Sequence, residues 1–358
     1  MHTKLNTLYL QFPDVLMKFS TNNERYYHYL KLYFNKIIVN KDVDRYINVE
    51  ATALWQKKIS LQVAIHQGES DNFRMIGGNT CVLNNRLITM RKVERKIKVC
   101  FDIMADDNKF ISRGALRAKW MKDFLRYRVG QKREESVFFM LTYPLLYYPL
   151  FWYYERYKAT HILHASALRY KNRGIVICGL EGMGKTSLSL SLLNDDGGSF
   201  ISDNLIFYNS DNVYPCYELV RLYNDYNTSL LRGRFEKVTA FKSSKDFYAP
   251  LMDVRGRGIS PHVVVFPVYS ACFFVKELSI DEAVKKALIL SFLPAELGNY
   301  VEYRHMYNLL DTSFDPWNAQ CTILQKLFKE ARCLMVGMRK EDGLDKNVER
   351  FKKVVVSE

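Results

Sequence analysis

The chain has 358 residues, 48% of them hydrophobic, with 24 Tyr, 22 Phe and a formal net charge of +14 at pH 7. That composition excludes intrinsic disorder and low-complexity architecture, and the length suits one large or two ordinary domains. The seven cysteines (81, 100, 178, 216, 272, 321, 333) include no C-x-x-C pair and no His at zinc-ligand spacing; this excludes a disulfide framework or a zinc ribbon and predicts reduced thiols in a cytoplasmic protein.

In chain order, residues 1–133 read as an α+β unit. Residues 1–12 lack the basic-then-apolar layout of a signal peptide. Tyr27, Leu30, Leu32 and Phe34 give 23–37 a helical period, and 37–39 reads as a strand. Further strands are expected at 61–65 and 97–104, with turn-rich stretches at 67–72 and 77–79 between them. The segment 86–133 carries a net charge of +10. Its first cations, Arg91, Lys92, Arg95, Lys96 and Lys98, alternate with Val93, Ile97 and Val99 as in a strand with one solvated face. In the second group, Arg113, Arg117, Lys119, Lys122, Arg126 and Arg128 lie opposite Leu116, Trp120, Phe124 and Leu125 at helical spacing. Such a segment is either a solvated face or a surface for an acidic partner, nucleic acid or acidic peptide.

The most hydrophobic stretch, 137–154, is at the lower length limit for a membrane span. Its tyrosines, Pro144, Pro149 and the following Glu155 and Arg156 predict a buried, broken helix without a membrane span. Residues 163–170 then read as a strand, 171–174 as a turn and 175–178 as a second strand. Beyond the loop that follows, strands are expected at 262–266 and 271–275, and helices at 281–292, 317–331 and 344–354.

The loop Gly179-Leu180-Glu181-Gly182-Met183-Gly184-Lys185-Thr186 fits G-x-x-x-x-G-K-[ST] without mismatch. Glycines let successive backbone N–H groups converge on an anion at a helix N-terminus. Lys185 supplies a point charge to β- and γ-phosphates, and the Thr186 hydroxyl a hard oxygen to Mg²⁺. The nucleotide set is thus Gly179, Glu181, Gly182, Met183, Gly184, Lys185, Thr186 and Ser187, with ATP and Mg²⁺ as cofactors. Residues 187–193 alternate Ser and Leu like a strand, but Leu188 and Leu192 form an i,i+4 pair and Asn194-Asp195-Asp196-Gly197-Gly198 is a helix stop. They read as a helix. The short strand Ser199-Phe200-Ile201-Ser202 then delivers Asp203, an acid for the metal beside Thr186. Asp102 reads as a surface or turn residue. Asn40-Lys41-Asp42-Val43 lacks the Asp of a guanine-reading N-K-x-D motif, so a GTPase is not expected.

His164-Ala165-Ser166-Ala167-Leu168, the turn, the glycine loop, the Leu-rich helix and Ser202-Asp203-Asn204 follow one another in a layout that resembles HPr kinase/phosphorylase and its kinase-like relatives. Asp253-Val254-Arg255-Gly256-Arg257-Gly258-Ile259 is similar to the R-G-x-G-I signature of that family. The resemblance implies an α/β fold: a P-loop nucleotide-binding domain of the HPr kinase/PEP-carboxykinase type with mixed sheet, at 134–358, after a smaller α+β domain at 1–133. It implies catalytic roles for Asp203 as metal-linked base, His164 beside the γ-phosphate, and Arg255 on the phosphoryl group in flight. His161, His262 and His305 have no such context and read as structural.

The chain departs from the family at three points. Asn204 stands where a second carboxylate is expected, about 50 positions separate Asp203 from Arg255, and the N-terminal region does not resemble the regulatory domain. The expected function is an ATP-dependent kinase for a hydroxyl on a peptide, protein or small molecule, with the N-terminal domain helping to bind that acceptor. Its rivals are a non-catalytic nucleotide-binding switch module and a nucleic-acid-associated ATPase that uses segment 86–133.

Overall fold

The strand Arg173–Cys178 sends Ile175 and Ile177 to one face of its sheet and Val176 and Cys178 to the other, and both faces are covered. Ile175 and Ile177 join a core with Leu188 and Leu192 of the helix Lys185–Leu193 and with Val348, Phe351 and Val355 of the helix Gly343–Val356. Val176 and Cys178 join another with Ala283, Val284 and Ala287 of Ile280–Phe292 and Leu324, Leu327 and Phe328 of Pro316–Phe328. Helices on both sides of a sheet whose inner strands run parallel make this an α/β layer structure.

The computed structural model describes residues 4–40, 46–56, 59, 74–93, 97–106, 108–117, 134–193, 198–223, 231, 233–238, 245–251 and 258–356. The chain forms two compact units, one of Met1–Lys158, Thr239–Ser244 and Tyr300–Phe314, the other of Ala159–Val238, Lys245–Asn299 and Asp315–Glu358.

In the second unit the six-stranded sheet runs Ser199–Ser202, Ala165–Tyr170, Arg173–Cys178, Pro261–Tyr269, Arg332–Met338, Phe274–Glu277. Its middle three strands are mutually parallel and its outer pairings antiparallel. Two three-stranded antiparallel sheets accompany it, one of them Val220–Tyr223, Lys245–Pro250 and Phe235–Lys237. The expected strand 163–170 is two strands, His161–Leu163 and Ala165–Tyr170, which enter different sheets and leave His164 at the break. Lys171 and Asn172, at φ 47° and 62°, turn the chain tightly into Arg173–Cys178. The helices Ile280–Phe292, Pro316–Phe328 and Gly343–Val356 match expectation, and Ala295–Tyr307 is a helix that the sequence reading passed over.

The first unit is built on a nine-stranded sheet in which Val49–Gln56 runs parallel to both of its neighbours and every other pairing is antiparallel. Its helix Glu24–Tyr33 buries Tyr26, Tyr29, Leu30 and Tyr33. Of the expected stripe, Leu30 and Phe34 are buried, Tyr27 is half-buried and Leu32 is 43% exposed. Leu116 belongs to the strand Lys109–Arg117 and not to a helix. Trp120, Phe124 and Leu125 lie outside the described residues, as do Arg95, Lys96, Lys119, Lys122, Arg126, Arg128, Asn40's neighbours 41–43 and the stretches 61–65 and 67–72. Asp102 is within a strand, gripped by Arg86 at 2.8 and 3.0 Å, and is not a turn residue.

The broken helix is present: Glu134–Thr142, a π-helical turn Tyr143–Tyr147 containing Pro144, then Tyr148–Lys158. Proline lacks the N–H that an α-helical ladder needs, and a wider turn absorbs the missing bond. Its rings pack within the first unit, Phe138 on Tyr26 at 5.1 Å, Tyr147 on Phe34 at 5.8 Å and Trp152 on Phe110 at 4.9 Å. The division therefore falls at Lys158 rather than 133, and 300–314 also belongs to the first unit. The two units are equal in length, so the first is not the smaller. Among the described residues no helix is long and apolar enough to cross a membrane.

Candidate functional site

The strand Arg173–Cys178 ends at Gly179, and the helix Lys185–Leu193 starts at the far side of the loop. Gly182 and Gly184 hold φ at 84° and 81°, and a Cβ on either would meet nothing within 4 Å. Glycine is required there for conformation, not for space. The residues after Thr186 are helical, so the loop leads into a helix N-terminus, as the anion-nest reading requires.

Lys185 is 7% exposed. Its Nζ donates to the carbonyls of Gly179 at 2.8 Å and Leu180 at 3.1 Å, so the loop's own dipoles solvate the ammonium. Burial lowers its pKa, opposed chiefly by the charge of Asp203. Tyr269 donates to the Gly182 carbonyl at 3.2 Å, and Lys245 to Glu181 Oε1 at 3.1 Å. The loop is thereby tethered from the ends of two strands.

Asp203 follows the edge strand Ser199–Ser202, which pairs with Ala165–Tyr170. Its carboxylate accepts from the Thr186 hydroxyl, 2.9 Å from Oδ2 and 3.1 Å from Oδ1, and also from the Ser166 hydroxyl. His164 Nε2 lies 3.1 Å from Asn204 Oδ1, and the Asn204 amide nitrogen donates to Glu218 Oε2 at 2.5 Å. Burial, and after it the Lys185 charge, bring the His164 pKa down from 6.5 to about 3, so the ring is neutral at physiological pH.

His164, Glu181, Gly182, Gly184, Lys185, Thr186, Ser187 and Asp203 line one cavity of about 480 Å³. Gly179 and Met183 are off its wall, and Arg255 lies outside the described residues. Sequence reasoning missed Ser166, Glu218, Arg221, Lys245 and Glu296. Arg221 and Glu296 face the cavity 3.4 Å apart, and Lys245 sits 4.6 Å above the Tyr223 ring. No motif flags Arg221 and Lys245, because strand pairing between Val220–Tyr223 and Lys245–Pro250 brings them together from remote positions. The expectation for two other histidines agrees with their packing: His161 lies on the Tyr208 ring at 5.7 Å, and His262 Nδ1 accepts from the Gly174 amide at 3.0 Å.

The donor set suits a hard cation that arrives with its ligand. The Thr186 hydroxyl and the Asp203 carboxylate are oxygen donors already within 3.1 Å of each other. Among the described residues no group of three His, Cys, Asp or Glu could hold a metal alone. Mg²⁺ takes one or two protein oxygens and completes its shell with water and phosphate, so this pair fits it better than Zn²⁺ or Ca²⁺. No protein-family model matches the chain, and no curated protein matches it.

Proposed function

We propose that this chain is an ATP-dependent kinase of the HPr kinase/PEP-carboxykinase type, moving the γ-phosphoryl group to a hydroxyl of a peptide, protein or small molecule. The observation that carries the proposal is the meeting of a buried Lys185, held by backbone carbonyls, with Thr186 and Asp203, joined through the threonine hydroxyl, in one cavity. A loop that merely turned the chain would have no reason to bury an ammonium against carbonyl oxygens.

Thr186 and Asp203 would hold Mg²⁺, which when bound neutralises charge between the β- and γ-phosphates. Lys185 exchanges its carbonyl partners for phosphate oxygens, and the glycine loop offers its N–H groups. Asp203 orients the acceptor hydroxyl while Ser166 and Thr186 fix its carboxylate. Arg221 and Lys245 add positive charge at the mouth, where the triphosphate competes with Glu296 and Glu181 for them. Arg255 is kept as a candidate for charge on the group in flight. The mixed cation face of the first unit gives less support to a nucleic-acid-associated ATPase, since Arg86, Arg91 and Lys109 are matched by Asp102, Glu302 and Glu50.

Incubation with γ-labelled ATP and a cell lysate tests the reading. Label should pass to an acceptor from the wild-type chain and not from Lys185→Ala. Nucleotide binding without any transfer would leave a non-catalytic switch module and overturn the kinase.

A further inference from the structure

Asn204 stands where the resemblance expects a second carboxylate, and a carboxylate reaches it from another strand region. Asn204 holds a left-handed backbone, φ 70°, which asparagine tolerates better than most residues. In that conformation its side chain bridges two buried groups, Glu218, 5% exposed, and His164, 4% exposed. The backbone N–H of His164 donates to Ser291 Oγ at 3.1 Å, which fixes the backbone that carries the ring.

The donor and acceptor inventory orders this bridge. A carboxylate only accepts, so the amide turns its NH₂ to Glu218 and its oxygen to His164. An oxygen facing Nε2 requires a hydrogen on Nε2. A neutral imidazole carries one ring hydrogen, so Nδ1 is left with a bare lone pair. Nδ1 is buried and has no hydrogen-bond partner among the described residues, on a ring that forms part of the cavity wall.

We propose that Glu218 and Asn204 are positioning residues that lock His164 in its Nε2–H form and so fix the ring that lines the cavity where the phosphoryl acceptor would bind. The part that the acceptor plays rests on the kinase reading; the tautomer does not. The same burial that depresses the imidazole pKa keeps the ring neutral and the lock intact through physiological pH.

The tautomer is read directly by NMR of the full chain labelled with ¹⁵N-histidine, with His164→Gln identifying the signal among the seven histidines. The expected spectrum has a pyridine-type Nδ1 and a pyrrole-type Nε2. In Glu218→Gln the partner can donate as well as accept, the amide is free to flip, and a mixture of tautomers is expected. With water as the acceptor hydroxyl, ATP hydrolysis by Glu218→Gln should fall several-fold in kcat with KM for ATP unchanged. A pyrrole-type Nδ1 in the wild type overturns the lock whatever the variant does. A single unchanged tautomer in folded Glu218→Gln also overturns it, and an unchanged kcat beside mixed tautomers removes its role in transfer. Failure of wild-type transfer would sink the kinase reading alone, since the ring spectrum needs no turnover.

Discussion

Positive charge is handled in opposite ways on the sheet of the first unit and at Lys185 of the second. On the nine-stranded sheet it is met by carboxylates: Arg86 on Asp102 at 2.8 Å, Lys109 on Glu50 at 2.7 Å, Arg91 on Glu302 at 2.5 Å. In the second unit, Lys185 is buried and its ammonium is held by two neutral carbonyls. An ion pair at a surface is worth little and gives its cation nothing further to do. An ammonium solvated by dipoles retains its charge for an incoming anion, at the expense of desolvation. The difference teaches that net charge along the sequence, largest at 86–133, points away from the site, which turns on one lysine.

Lys185→Ala tests the strong side of that contrast. Loss of the buried cation should reduce ATP-dependent transfer by about 10²–10³-fold, the scale of one preorganised electrostatic contact. Because burial lowers the Lys185 pKa, the folded chain holds this charge reluctantly, and thermal unfolding of the variant should occur no lower than in the wild type. A large fall in melting temperature would mean that the lysine serves the fold instead.

His164 extends the contrast to pH. Its pKa is depressed in the folded chain, from 6.5 to about 3, so the unfolded chain binds the proton first. Stability from the neutral ring is therefore present above about 6.5 and is lost as pH falls through that value toward 3. Between those limits the loss approaches about 1.4 kcal/mol per pH unit for one proton. Denaturant titrations at pH 6.5 and 5 should show a steeper decline for the wild type than for His164→Gln. Equal slopes would mean that the folded ring is protonated.

The site was more legible in the sequence than the fold around it. The residues 179–186 carry their chemistry locally, since glycine spacing, lysine and threonine each act within one turn of chain. Asp203 was found because its strand follows the helix directly. Arg221 and Lys245 were not, because sheet pairing and no periodicity brings them to the cavity, and Glu218 was not, because only the folded chain sets it against Asn204. The strand expected at 163–170 proved to be two because His164 sits where the chain changes sheets, and an unbroken apolar run conceals such a break. The unit boundary was misplaced for a related reason. Residues 137–154 look like the start of a new pattern, but their aromatic rings complete the core of the first sheet. The Asn204 departure was visible in the sequence; its bridge to Glu218 is a tertiary fact.

A smaller effect is expected at Gly184. The left-handed backbone there leaves open space for a methyl group, so Gly184→Ala should cost only the conformational penalty, roughly 1–2 kcal/mol. If that strain is relieved by distorting the loop, affinity for a non-hydrolysable ATP analogue falls about tenfold, the equivalent of 1.4 kcal/mol. Calorimetric titration measures it. Unchanged affinity would mean that the loop does not need this turn to hold phosphate.

The smallest effect belongs to the sheet of the first unit, where one pair of cations is unlike the others. Lys92 and Lys98 lie directly opposite each other on the strands Arg86–Val93 and Ile97–Asp106, both exposed. Like charges across an antiparallel pair repel, and an opposite pair in their place contributes roughly 0.2–1 kcal/mol. Lys98→Glu should therefore raise stability by a few tenths of a kcal/mol to about 1 kcal/mol, within the range for cross-strand pairs, and leave transfer activity unchanged. The same variant separates a solvated face from a docking surface. A track for polyanions would lose affinity for random oligonucleotides and show a shallower salt dependence after the reversal, because fewer counterions would be released. With neighbouring cations already matched by Asp102, Glu50 and Glu302, we expect oligonucleotide retention to be the same for both chains. A clear loss of retention would mean that Lys92 and Lys98 accept their mutual repulsion for the sake of an acidic partner, and the contrast between the two units would become one between two anion sites.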